Sequence, residues 1–205
     1  MKIDIQKSLK WSVTIAVITL VLAAIFSVIS NAILEGANWA VGIMIVFIIV
    51  LIGVIFDIIG VAATATDEKP FHAMASDKVK GAKNAIAIAR NADRVSNFCN
   101  DVIGDISGVV SGTASAVVVL ELAISIGQGN DSPSQYVISV IFTSLTAAVT
   151  VGGKALGKTL AIKHATPIIF QVGRFFYFLE HRFHIKILKD TKTKKKHLKK
   201  KQKVK

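Results

Sequence analysis

Residues 38–63, NWAVGIMIVFIIVLIGVIFDIIGVAA, form the stretch that most limits what this chain can become: an apolar run with a single carboxylate, Asp57, near its far end. Positions 39–56 carry no charge at all. At about 1.5 Å of rise per residue the run is longer than the roughly 30 Å hydrocarbon core of a bilayer, so it is expected to span with some tilt. A carboxylate at bilayer depth costs roughly 2.5–3.5 kcal/mol on insertion scales. Asp57 is therefore expected to face protein, water or a cation rather than acyl chains.

The remainder of the chain supplies more runs of the same kind. Of 205 residues 52% are hydrophobic, and the mean hydropathy is +0.57, values that belong to a membrane protein and not to a soluble globule. Residues 11–33 read as a first span with Trp11 as an interfacial anchor. This run is too long for a signal-peptide core and lacks a small-residue cleavage site, so it is expected to stay uncleaved. A tight turn at 35–38 leads into the Asp57 run. From 64 to 100 the chain turns polar, with Ala82, Ala85, Ile86 and Ala89 at helical spacing opposite Lys83, Asn84, Arg90 and Asn91. That pattern predicts an amphipathic helix lying on a membrane or on neighbouring helices, with an ordinary soluble hairpin as the alternative.

Residues 102–126 predict a third span carrying Asp105 and Glu121, and 127–134 (GQGNDSPS) a loop. Residues 136–151 predict a short fourth span, the richest in hydroxyls. Between 152 and 188 basic residues interrupt apolar clusters, and Pro167 is expected to break any helix there, giving one or two interfacial helices. Residues 189–205 form a lysine-rich tail expected to be disordered on its own. The expected fold class is an all-α membrane protein of four transmembrane helices with cytoplasmic-side amphipathic or juxtamembrane helices. Its expected divisions are 1–38, 39–188 and 189–205. The one cysteine, Cys99, excludes an internal disulfide.

Lys and Arg number 3 before the first span, 6 between 64 and 100, and 16 from Lys154 onward, which is all 25 of them. The two intervening turns have none. Four spans with both termini cytoplasmic satisfy the positive-inside rule, and the location expected is the plasma membrane. The net charge of +12 would suggest nucleic acid in a soluble protein. Its concentration on one side points instead to membrane lipid, with anionic headgroups attracting the tail at about 1 kcal/mol per basic residue.

On this topology Asp57, Asp101 and Asp105 lie at similar depth at the inner ends of their spans, and Asp101 and Asp105, four apart, share a helix face. Carboxylates with the neutral oxygens of Asn100, Ser107 and Ser111 make a hard ligand set suited to magnesium or calcium. The alternative is that Asp101 caps a helix start and Asp57 pairs with an interfacial Lys or Arg. Glu121, towards the outer end, either lines an exit or pairs across the bundle. Gly104, Gly108 and Gly112 form a double small-xxx-small repeat expected to let helices pack closely. Gly152, Gly157, Lys158 and Thr159 match a nucleotide-binding Walker A pattern literally. No strand precedes them and no βαβ alternation surrounds them, so no nucleotide is expected. Histidines 72, 164, 181, 184 and 197 fall on the inner side; His181 and His184 share a helical face but lack further ligands at metal spacing. No nucleophile–base arrangement stands out, and enzyme activity is not expected.

Three segments resemble the transmembrane domain of the cyclin-M/CorB magnesium transporters over about residues 39–165. IFDIIGVAATA stands where that family has a Phe-Ser-x-x-Glu-Thr-Ala type segment. KGAKNAIAIARNADRVSNF is similar to its Gly-Ala-Arg-x-Ala … Asp-x-Arg-Phe segment, followed by VIGDISG at an Ile-Gly-Asn segment. GKALGKTLAIKH resembles Gly-Glu-x-x-Pro-Lys-Thr-Leu-Ala. The resemblance implies a homodimeric membrane domain of three spans, with juxtamembrane helices, around a dehydrated Mg2+ ion. Asp57 falls at the family's Ser, Asp105 at its Asn and Lys158 at its Lys. Gly60 and Lys154 replace two family glutamates, and Gly157 replaces the Pro. Residues 11–33 add a span, and the cytosolic CBS pair is expected to be absent. The function expected is divalent cation transport, most simply of magnesium, through Asp57 and Asp105; the alternative is a non-transporting membrane scaffold or accessory subunit held to lipid by its basic tail.

Overall fold

The computed structural model describes residues 5–126 and 133–183. Of the loop expected at 127–134, residues 127–132 lie outside the described residues and Pro133 and Ser134 begin a helix; the tail at 189–205, His184 and His197 also lie outside them. Among those described, every regular element is helical: α1 (Ile5–Leu34), α2 (Trp39–Ala65), α3 (Lys69–Ser76), α4 (Ala82–Arg90), α5 (Ala92–Asn97), a π-helical segment (Phe98–Gly104), α6 (Asp105–Ser125), α7 (Pro133–Lys163) and α8 (Ala165–Phe183). The all-α class read from the sequence holds. Four segments are long and apolar enough to cross a membrane: Ser12–Leu34, Trp39–Ala65, Ala92–Ser125 and Gln135–Lys163.

Local chemistry sets the boundaries. Gly36 takes a left-handed φ of +80° in the α1–α2 turn, a conformation that carries no steric penalty without a Cβ. Asn38 then caps α2, its Oδ1 accepting from the Val41 N–H at 3.0 Å. Pro70 sits in the first turn of α3, where its missing N–H is not needed. Two expectations are corrected. α7 does not stop at Val151 but continues through Gly152 and Gly153 to Lys163; one glycine pair costs a helix about 2 kcal/mol against alanine, which its long flanks outweigh. Pro167 breaks nothing, because the chain turns at His164 and Pro167 falls in the first turn of α8, where proline is tolerated.

The chain divides into two compact units. The first comprises Met1–Phe56 with Asn100–Leu156, the second Asp57–Cys99 with Gly157–Lys205. In the first unit Ile15, Leu22 and Ala23 of α1 pack on Val102, Ile106 and Val110. Val46 of α2 joins Leu34, Ala114 and Val118 in a second cluster. α2 and α6 approach closely at two glycines: a Cβ at Gly53 would lie 2.8 Å from Ser107 Cβ, and one at Gly42 would lie 2.6 Å from Val118 Cγ2. Leucines, valines and isoleucines cover much of the outward surface of α1, α2 and α7, as they do on helices solvated by lipid.

In the second unit Ala62, Ala63, Phe71, Ala85, Ile86, Ile88, Ala161 and Ile169 form the core. The amphipathic stripe expected at Ala82, Ala85 and Ile86 is buried there. It packs on other helices, chiefly α8. Gly81 and Gly173 make that approach possible. Gly81 has φ +90°, and a Cβ on it would lie 2.7 Å from the Arg174 backbone; a Cβ on Gly173 would lie 2.8 Å from Ala85 N and Gly81 O.

Candidate cation site

Asp57 lies in the last third of α2, on the turn before the small residues Val61, Ala62 and Ala63. It is only 4% exposed, and its Oδ2 has no hydrogen-bond partner among the described residues. A buried carboxyl oxygen left unmatched costs on the order of 1–3 kcal/mol or more. The sequence expectation that Asp57 turns away from acyl chains is therefore met at the level of burial.

The other expected ligands are placed differently. Asp101 lies in the π-helical segment and Asp105 opens α6, and both side chains are exposed. The physical reason is the apolar seam of this stretch. Val102, Ile103, Ile106 and Val110 take the inward face, and the aspartates are left on the outward one. Among the described residues no three His, Cys, Asp or Glu side chains gather as a metal ion would require. Asn100 is half-buried within the π-helical segment. Ser107 and Ser111 are buried, but their hydroxyls donate to their own helix, to Ile103 O at 2.8 Å and to Gly108 O at 3.0 Å. Glu121 is exposed.

The wide π turn, a geometry found often at functional sites, has an unexpected neighbour in the first unit. Lys154 of α7 points its Nζ at Gly104 O, at 3.5 Å. An ammonium thus stands over the carbonyl end of this turn. Gly108 and Gly112 do not mediate packing in this chain, since a Cβ on either would meet nothing within 4 Å. They line a groove of about 240 Å3 with Ser111, Ser115, Thr146 and Thr150. The hydroxyls along it are turned back onto their own helices, Ser115 to Ser111 O, Thr146 to Phe142 O and Thr150 to Thr146 O, so its wall is mostly carbon.

The Walker-like residues Gly152, Gly157, Lys158 and Thr159 all lie inside α7. Their amides serve the helix, and no phosphate-cradling loop forms there. Lys158 itself is exposed.

The second unit holds an ion-pair cluster that the sequence reading missed. Glu68 Oε2 accepts from Arg90 Nε at 2.7 Å and lies 3.3 Å from His72 Nε2, which is also 3.3 Å from Arg90 Nη2. The Arg90 guanidinium holds the Glu68 carboxyl below its ordinary range, opposed by partial burial and helped by His72. The i,i+4 spacing of Glu68 and His72 was legible in the sequence; Arg90, 22 positions on, was not. No family model, no curated protein and no solved structure matches this chain.

Proposed function

We propose that this polytopic membrane protein handles a hard divalent cation, magnesium first, and that Asp57 is the group that meets it. The observation that carries the reading is Asp57 itself, 4% exposed with an unmatched Oδ2 on a helix able to cross the bilayer. A buried acid of this kind is by default a functional one, because its cost must be offset by something it binds. Magnesium enters by ligand class, carboxylate with neutral oxygens, and by the resemblance to the cyclin-M/CorB transporters. A homodimer, anionic lipid at the tail, a plasma-membrane location and cytoplasmic termini belong to the same proposal.

A non-transporting scaffold or accessory subunit is the second reading, and two observations favour it. Lys154 sets an ammonium over the π-helical turn, where the resembled family has a glutamate. Asp101 and Asp105 are turned outward. Liposomes loaded with a magnesium-sensitive dye separate the two. Transport predicts uptake by the native chain that Asp57→Ala reduces by at least about ten-fold, equivalent to roughly 1.4 kcal/mol. Equal, background-level signals from both proteins would leave the scaffold.

A further inference from the structure

Helix α8 of the second unit has two unlike sides. Ala165, Ile169 and Gly173 form the seam against α4 and the core, closed by the hydrogen bond from Asn84 Nδ2 to Glu180 Oε2 at 2.9 Å. On the opposite side Phe175 and Phe178 are 61% and 65% exposed. Between that side and the turn before α4 lies a cleft of about 320 Å3 lined by Lys80, Arg174, Tyr177, Phe178 and His181. A second hollow of about 360 Å3 shares Lys80 and Tyr177 and adds Lys78 and Lys83. His181 is stacked on Tyr177, ring centroids 6.1 Å apart and planes within 4°.

The electrostatics of this cleft are one-sided. Neither Lys80 nor Arg174 pairs with an acid among the described residues. No acid lines the cleft itself, and Glu180, on the wall of the second hollow, accepts from Asn84. Two exposed phenylalanines beside unpaired cations match a lipid's two halves, a phosphate for Lys and Arg and an acyl–glycerol boundary for the aromatic rings. Connectivity puts the cleft within reach of headgroups, because only His164 separates α8 from the span-length α7.

We infer that this cleft is a docking site for an anionic phospholipid, its headgroup phosphate held by Lys80 and Arg174 beside Tyr177, and its glycerol and upper acyl region against Phe178 and Phe175. The site uses neither Asp57 nor any residue of the lysine-rich segment, and it stands whether or not the chain moves a cation.

A reporter placed in the cleft keeps tail binding silent. The full-length chain with Trp11→Phe, Trp39→Phe and Phe178→Trp, in detergent, is titrated with dihexanoylphosphatidylglycerol, with the matching phosphatidylcholine, and with glycerol 3-phosphate. The expected result is a saturable change in tryptophan emission with the anionic lipid alone. Adding Lys80→Gln and Arg174→Gln should weaken it by about ten-fold or more, while Arg174→Lys should largely keep it. An equal response to phosphatidylcholine, or an unaltered response in the double variant, overturns the site. Saturation by glycerol 3-phosphate at the same concentrations overturns the lipid assignment in favour of a soluble phosphate. Should the double variant lose helicity, Lys80→Gln alone decides, since Lys80 is exposed in the turn before α4.

Discussion

At the scale of single residues, Asp57 and Glu68 show how differently two acids can be held. Asp57 is buried with one oxygen unmatched, whereas Glu68 is matched by Arg90 at 2.7 Å and His72 at 3.3 Å. If Asp57 meets a cation, Mg2+ should raise the unfolding temperature of the native chain in detergent and leave Asp57→Asn unmoved. In magnesium-free buffer the same variant should be at least as stable as the native chain, because it replaces a buried carboxyl group whose Oδ2 has no partner by a neutral amide. Calorimetry with and without the ion reads both outcomes. For Glu68 the folded carboxyl titrates below the unfolded one. Its contribution is therefore full above the unfolded glutamate pKa and fades as pH falls through the lower folded value. The side chain is 39% exposed, so solvent screening keeps the contribution within about 1 kcal/mol. The stability gap between the native chain and Glu68→Gln should accordingly close as the pH is lowered below the ordinary glutamate range in a series of thermal melts.

At the scale of elements, close approach through glycine governs both units, and the positions differ from those the sequence suggested. Gly108 and Gly112 look like packing residues by spacing but border open space, whereas Gly42, Gly53, Gly81 and Gly173 each stand where a Cβ would come within 2.9 Å of a neighbour. Gly173→Ala should destabilise the second unit by about 1–3 kcal/mol through overpacking against the backbone of Gly81 and Ala85. Gly108→Ala should be neutral or slightly stabilising, by up to about 1 kcal/mol, since it gains helix propensity and meets nothing. Denaturation followed by circular dichroism compares the two, and equal losses would contradict the geometry. The helical rise of α7 through Gly152 and Gly153 belongs to the same scale. A glycine pair reads as a break in a linear pattern, yet twenty-odd favourable residues around it keep the helix intact.

At the scale of the whole molecule, the basic residues set the expected topology. With Lys and Arg confined to the N-terminal segment, the 64–100 segment and the stretch from Lys154 onward, a reporter fused after Lys205 should read cytoplasmic, as should one fused at the N-terminus. Opposite readings for the two fusions would remove one of the four spans from the bilayer. The dense apolar surface of α1 and α2 accords with a lipid environment, because surface of that extent is not stable in water.

Helical class, span number and the burial of Asp57 were legible in the sequence, because an unbroken apolar run leaves a backbone in lipid no alternative to helix and leaves an acid on it only an inward direction. The amphipathic stripe of α4 was legible for the same reason of periodicity. What surrounds those groups was decided only in three dimensions. Whether Asp101 and Asp105 turn inward depended on competition with Val102, Ile106 and Val110 for one face. Arg90 joined Glu68, Lys154 met Gly104 and Gly81 met Arg174 through pairings across 22, 50 and 93 chain positions respectively. Contacts of that range carry no periodic signature, since they follow from which helix faces fit together and not from the order of residues along any one of them.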